Sequence, residues 1–400
     1  MKANLLLLET QCGVLKRLQL TSLQQNFHVQ TLYMQDPQMA IEAIKLRHIG
    51  VVIANFDSNL KGFHDFCLKV REQAPFFVMF ILLIDEQSGE VTNEIKFAHQ
   101  ILPASCAEKE IVAAIGRGIT LSLEVRKNPK LASFLVKLDS LPSPPFVYFD
   151  LRDQLGLPNC NAGILTEIIS RDQALAAKIL RVANSGFYAV PRTIANLHQA
   201  ITLLGTETLL GLVLATHLFE GLPLPGLNLD NLWKHAVAVA LMSRQAAKER
   251  GAEREQVEAS GIAGLLHDLG SLVFISNKPA EYQTLLRNAN GDEMRLIAME
   301  RQNYGVDHAE LGGLVLLLWG LPDAVVHAVR HHHDYAMQDT LVAASPTWAV
   351  LIAEFMFNHT APMDAENKED FLKNCPLRCT PEQFDLWQNI FEQLQIQATI

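Results

Sequence analysis

Four hundred residues are enough for two or three domains, each able to bury a core of its own. Apolar residues make up 49% and charged residues 19%, which excludes a disordered chain and points to well-buried, helix-rich structure. The formal net charge of -10 argues against a nonspecific grip on nucleic acid or on an anionic lipid surface. No apolar run reaches the ~18 residues of a transmembrane helix, so membrane insertion is not expected. The short apolar run behind Met1-Lys2-Ala3 ends at Glu9 with no small-residue cleavage site, unlike a signal peptide. The cysteines at 12, 67, 106, 160, 375 and 379 are scattered, and only Cys375 and Cys379 are close, with no second pair to complete a zinc site. They read as reduced thiols in a bacterial-type cytoplasm.

The first 125 residues alternate between short apolar runs and helical spacing. Strands are expected at Asn4–Glu9, Val29–Tyr33, Val51–Ile53, Phe76–Ile84 and Ile101–Leu102. Helices are expected at Val14–Gln25, Pro37–Arg47, Leu60–Arg71, Glu90–His99 and Ala107–Leu123. Five strands alternating with five helices predict a doubly wound α/β domain, a five-stranded parallel sheet covered on both faces.

This layout resembles the receiver domain of bacterial response regulators, but the chemistry of a receiver is missing. The acids that close its first strand are reduced to Glu9, followed by Thr10. The phosphoacceptor aspartate lies eight residues before a glycine, and counting back from Gly62 gives Ala54, flanked by Asn55. Asp57 falls in the following loop, and no lysine stands near Leu102–Ser105. Phosphoryl transfer needs a carboxylate acceptor, a divalent cation and a cationic clamp. A degenerate receiver is therefore expected, serving as a docking or dimerisation module.

Residues 126–145 read as a linker. Arg126-Lys127-Asn128-Pro129-Lys130 is a charged break, Leu131–Leu138 a short helix, and Leu141-Pro142-Ser143-Pro144-Pro145 a stiff joint. Beyond it the strand pattern disappears. Helical spacing runs through Ala162–Ile169, Gln173–Ala183, Asn196–Leu204, Glu207–Phe219, Asn231–Lys248, Glu255–Leu266, Ala280–Ala289, Glu293–Gln302, His308–Trp319, Pro322–His333 and Pro346–Phe357. Asp307 with Glu310 reads as a capping box, and Pro322 and Pro346 as first helical residues. Residues 146–360 are thus an all-α domain. Residues 361–400 form a polar extension with one amphipathic helix near Gln383–Leu394.

Within the all-α domain one stretch stands out, Gly264-Leu265-Leu266-His267-Asp268-Leu269-Gly270, which sets an imidazole beside a carboxylate at the end of an apolar run. His235 shares a helical face with Leu232, Val239 and Met242, so its ring is expected inward. His308 opens a helix. The stripe Val325, Ala328, Val329 continues at helical spacing to His332 and His333, leaving His327 and His331 on the solvated side. Glu354 sits in a helix apolar all round, where an ionised carboxylate needs a cationic partner. His235, His267, Asp268, His308, His332, His333 and Glu354 are therefore candidate metal ligands, of a kind suited to Fe, Mn, Zn or Ni. Two ions held there could activate water for phosphodiester hydrolysis.

Residues 140–335 resemble the HDOD domain, a relative of the HD and HD-GYP phosphohydrolases. The resemblance rests on Leu141–Pro145, Ile169–Ala176, Ile179–Ser185 with Phe187-Tyr188, Ala200-Ile201 with Leu203–Gly205, Leu232–His235, Gly264–Gly270 and Val306–Gly312. The HD-GYP pattern implies ligands at His235, His267, Asp268, His308, His332 and His333, with Glu354 where an aspartate is usual. The lysine after His-Asp-x-Gly is Ser271 here, which removes a phosphate clamp, and Asp334–Ala344 carries no Gly-Tyr-Pro segment. The resemblance implies a cytoplasmic signal-transduction regulator that works through protein–protein interaction, with signalling proteins or a second copy of itself as partner and without catalysis. The alternatives are a metal-dependent phosphodiesterase and a cyclic-dinucleotide sensor without turnover.

Overall fold

The structure, a computed structural model, describes all residues except 1–3, 11–14, 16–29, 57–59, 75, 85–96, 139–141, 143, 185–193, 220–228, 336–343, 359–379 and 399–400. The chain divides into two compact units. One contains residues 1–146, 273–307 and 314–321, and the other residues 147–272, 308–313 and 322–400.

The first unit is built on a five-stranded parallel sheet. Its strands are β1 (Asn4–Glu9), β2 (Gln30–Met34), β3 (Val51–Asn55), β4 (Met79–Ile84) and β5 (Gln100–Pro103), in the order β2-β1-β3-β4-β5. That is the doubly wound order with a switch point between β1 and β3. β3 and β4 are buried along their whole length, which explains their unbroken apolar sequences. The strand expected at Phe76–Ile84 begins three residues later, because Met79 pairs with Val51, the first residue of β3.

Around the sheet run α1 (Pro37–Arg47), α2 (Leu60–Gln73) and α3 (Glu108–Lys127). Asp36 caps α1 by accepting from Gln38 N at 2.7 Å. The helix expected at Val14–Gln25 lies outside the described residues apart from Leu15, as does most of that at Glu90–His99. The linker helix α4 spans Pro129–Val136, two residues ahead of expectation. Asn128 sets its start by accepting from Leu131 N at 3.0 Å, with proline first inside the helix.

At the C-terminal ends of β1 and β3, where a receiver would carry its acids, the described side chains make structural bonds. Glu9 is buried, its Oε1 accepting from Leu15 N and its Oε2 from the Tyr33 hydroxyl, each at 2.8 Å. Burial and then the Glu9 carboxylate push the Tyr33 phenol up. Ala54 is fully buried, and Glu9 lies in register with Asn55, so β3 ends on no carboxylate. Asp57 lies outside the described residues.

The remaining helices are α5 (Phe146–Leu155), α6 (Ala162–Ile169), α7 (Gln173–Ala183), α8 (Leu197–Leu204), α9 (Thr206–Phe219), α10 (Leu229–Glu249), α11 (Arg254–Leu266), α12 (Leu269–Asn277), α13 (Pro279–Ala289), α14 (Glu293–Tyr304), α15 (His308–Trp319), α16 (Asp323–Arg330), α17 (Pro346–Asn358) and α18 (Pro381–Ala398). Two of these, α5 and α12, were not expected. The apolar run of α12 shows no amphipathic period, because it is buried on most sides. Pro322 caps α16 from outside, with ψ at 142°, rather than starting it. α16 also stops at Arg330, three residues short of the expected His333. In α18 a Thr380–Gln383 capping box fixes the start, and Phe384 and Trp387 are buried. Among the described residues, Arg254–Asn277 has the length and hydropathy of a membrane span. However, 72% of its apolar window is buried in the fold, and α11 gives way to α12 within it at His267-Asp268.

His99 packs between Phe77 and Phe80 and accepts from Phe80 N at 2.9 Å through Nδ1. Burial, and then Arg71, push its pKa down from 6.5 to about 3. The folded protein therefore holds this ring neutral where the unfolded chain would protonate it. That contribution to stability is fully present above pH 6.5 and is lost as pH falls toward 3. Urea midpoints should fall on acidification below pH 6.5, and His99→Gln should flatten part of that fall.

Candidate metal centre

Four helices and one turn deliver the cluster. His235 projects from α10, and His267 is the residue on which α11 ends, followed directly by Asp268. His308 opens α15, and Glu354 lies on α17. His332 and His333 lie in the turn after α16, where His331 leaves helical geometry at φ -120°. Both are buried, as expected, but the turn aims them inward, not a continued helical stripe. His327 is exposed with Nδ1 at 2.9 Å from Thr347 Oγ1, and His331 is half-buried, 3.8 Å from Asp334.

Glycines permit the close approach of these elements. A Cβ on Gly264 would lie 2.8 Å from Ala240 Cα and 2.9 Å from Val239 O, so α11 rests directly on the backbone of α10. A Cβ on Gly270 would collide with the His308 carbonyl, and Gly312 lies against Gly270 N and Val329. The two glycines that bracket Leu-Leu-His-Asp-Leu are thus packing residues that bring His235 and His308 to His267-Asp268.

The donor atoms form two groups that share Asp268. In the first, His235 Nε2 and His267 Nε2 stand 3.1 Å apart, and Glu354 Oε1 lies 3.1 and 2.8 Å from them. Asp268 Oδ2 lies 3.3 Å from His267 Nε2 and 3.8 Å from His235 Nε2. In the second group, His308 Nε2 and His333 Nε2 are 2.9 Å apart, with His332 beside both rings. Asp268 Oδ1 faces this group, 3.7 Å from His308 Nε2.

The tautomers are fixed from behind. His267 Nδ1 donates to Gly264 O and His332 Nδ1 to Val329 O, each at 2.7 Å, both three residues earlier in the chain. A carbonyl only accepts, so each neutral ring turns an Nε2 lone pair toward the cluster. His332 Nε2 is buried with no hydrogen-bond partner.

Electrostatics divide the histidines. Burial opposes charge on His267, but Asp268 and then Glu354 outweigh it and hold its pKa well above the usual imidazole range. Burial likewise opposes ionisation of both carboxylates, yet His267 holds Asp268 and Glu354 well below theirs. His332 is pushed down to about 3 by burial, then by His267 and His308. His333 is pushed down by burial, then by His332 and His308.

The residues fit a divalent metal. Ligands ~2.1 Å from a common ion lie roughly 3.0–3.4 Å from one another, whether octahedral or tetrahedral. The first group spans 2.8 to 3.8 Å. The donor atoms of His308, His332 and His333 lie within 4.8 Å of one another, as do those of His235, His267 and Asp268. The orphaned Nε2 of His332 lacks a cation or donor. The set of imidazoles and carboxylates is that of a transition-metal site.

The HDOD domain family model matches residues 141–335. This stretch of the chain is an HDOD domain. A protein from Shewanella amazonensis SB2B, provisionally described as a phosphohydrolase, is 23% identical, with a TM-score of 0.52 over 67% of this chain and 97% of its own. An HDOD domain protein of unknown function from Geobacter sulfurreducens is 22% identical, with a TM-score of 0.52 over 70% of this chain and 96% of its own. These likenesses establish the shared fold. An uncharacterised protein of Treponema pallidum (strain Nichols) is 23% identical over 214 residues, and the match spans 54% of this chain and only 42% of that relative.

Sequence spacing did not reveal the carbonyls of Gly264 and Val329 that orient the rings. Their signal is the helix end, where carbonyls lose their intrahelical partners. Spacing also missed a small pocket beside Asp268, lined by Leu218, Leu232, Leu265 and Leu272 with Ser271. Gly270→Ala should destabilise the HDOD domain by about 1–3 kcal/mol, the usual cost of overpacking. The loss should be visible as a lower urea midpoint.

Proposed function

We propose that this protein is a bacterial signal-transduction regulator that acts by protein–protein interaction through its HDOD domain, around a metal centre that binds rather than turns over substrate. The observation that carries this reading is the contrast at His267-Asp268. The ligand cluster is dense and largely buried, yet Ser271 stands where a phosphate-clamping lysine is expected, and the adjoining pocket is lined with leucines. Transferring phosphoryl groups develop charge that needs cations or donors, and leucines supply none.

In this reading residues 1–125 are a receiver-like module without a phosphate switch and 126–145 the linker. Residues 146–360 are the HDOD output domain, and 361–400 a helical extension. The partner is a signalling protein or a second copy of the chain, in the cytoplasm. His235, His267, Asp268 and Glu354 would hold one ion of Fe, Mn, Zn or Ni. His308, His332 and His333, with the other oxygen of Asp268, would hold a second. A bound ion would supply a Lewis acid able to polarise an anionic ligand.

One observation favours a second reading, a metal-dependent phosphohydrolase acting on a phosphodiester such as a cyclic dinucleotide. The two oxygens of Asp268 face the two histidine groups separately, as a carboxylate shared by a two-ion hydrolytic site would. A sensor that holds a cyclic dinucleotide without cleaving it lies between the two.

Metal content of protein purified without added metal separates them. The expected result is bound transition metal that Asp268→Ala and His267→Ala remove, with no hydrolysis of bis-(p-nitrophenyl) phosphate under Mn²⁺ or Fe²⁺. Hydrolysis that both substitutions abolish would establish the phosphohydrolase instead. Acetyl phosphate should leave the N-terminal domain unlabelled.

A further inference from the structure

The helix that begins with His308 has contacts from α3 and the linker ahead of its start and at its far end. Ahead of it, Asn128 Nδ2 donates to Gly305 O at 2.6 Å, and Lys130 Nζ donates to Gln302 O at 3.3 Å. Gly305 has φ +79°, and a Cβ there would collide with Lys130. Phe134 of α4 packs against Tyr304 and Phe274, with ring centroids 5.0 and 5.3 Å away. Arg301 pairs with Asp307 at 2.7 Å, and the next residue is His308. At the far end of α15, Arg117 Nε donates to Leu318 O at 3.2 Å and Trp319 Nε1 to Pro142 O at 2.9 Å. The end of α4 is itself tied to α2, because Arg71 of α2 donates to the carbonyls of Val136 and Leu138.

We propose that α4 is the coupling element of this protein, and that Asn128 is a positioning residue through which the N-terminal domain sets the place of His308 and so the metal affinity of the cluster. The proposal rests on the metal-binding reading of the histidines. A phosphate switch would have to be read at β3, which ends on Ala54 and Asn55. A displacement of α2 by a bound partner needs no phosphate. It passes by Arg71 to α4, by Asn128 to Gly305, and by three peptide bonds to His308. A second contact leads the same way, since Phe274 lies on α12, whose first residue comes directly after Asp268. A helix-opening ligand is sensitive to such a shift, because its backbone is anchored only on one side.

The test separates the clamp from the cap. Asn128→Asp keeps an N-cap acceptor for Leu131 N but removes the donor to Gly305 O. Phe134→Leu removes the aromatic contact and is the second variant should Asn128→Asp fail to fold. Val52→Ala thins the sheet core without touching α4. The full-length chain is titrated with Co²⁺, read by its visible absorption, and amide exchange is followed over residues 306–313. In the expected result, the Co²⁺ dissociation constant rises roughly tenfold in Asn128→Asp and Phe134→Leu, the size of outer-shell effects on metal sites. Exchange over 306–313 quickens in both, and Val52→Ala keeps wild-type affinity. Wild-type affinity in both α4 variants overturns the proposal, as does an equal loss in Val52→Ala. A wild-type chain that holds no Co²⁺ overturns the metal reading along with it.

Discussion

Two carboxylates lie among five imidazoles, and the helical core is arranged to make that tolerable. Glu354 is 2% exposed and lies between residues that are almost all apolar. An ionised carboxylate in that setting is excluded unless positive charge reaches it. His235 and His267 supply contact at 3.1 and 2.8 Å, which is why α10, α11 and α17 must converge at one point. The convergence explains the glycines. Gly264 lets α11 lie on the backbone of α10, and Gly270 lets the first turn of α12 lie on the backbone of His308. The sequence around His267 is therefore constrained twice, by what the ligands need and by how closely their helices must pack.

In the N-terminal sheet the equivalent demand is relaxed. Glu9 is also a buried carboxylate, but its partners are a backbone N–H and a phenol. Those bonds satisfy both carboxylate oxygens of Glu9 locally. Charge has been retained there as a structural bond that joins β1 to β2 through Tyr33. The doubly wound sheet depends on apolar burial in β1, β3 and β4, which needs no acid at the strand ends.

Much of this was legible in the sequence, and the exceptions have physical causes. The sheet was readable because each strand is short, β-branched or continuously apolar, and bounded by turns. Helices with a solvent face, such as Pro37–Arg47 and Gln173–Ala183, were readable to the residue because capping Asp36 and Asp172 mark their starts. α12 was not, since a helix buried on most sides has no period to detect. His332 and His333 were placed inward by a helical stripe that in fact ends at Arg330, and the turn beyond it reaches the same result by another geometry. The pairing of Glu354 with His235 and His267 is dictated by the cost of burying charge. Which nitrogen each ring presents depends on helix-end carbonyls, and no residue type encodes that.

Charge balance constrains what the cluster can hold. Asp268 and Glu354 bring two carboxylates to the cluster, and burial keeps His332 and His333 uncharged beside them. One divalent ion in the group formed by His235, His267, Asp268 and Glu354 would match the charge of the two carboxylates. A second ion at His308, His332 and His333 would add two positive charges that no further carboxylate of the cluster offsets. Buried charge of that size requires an anion from solution. The space beside Asp268 is lined with leucines and a single serine, so the anion would have to be held by the ions themselves and not by the walls. A single-ion centre would be self-sufficient, whereas a two-ion centre would call for an anion. The number of ions such a centre held would thus decide between a structural core and a ligand-responsive one.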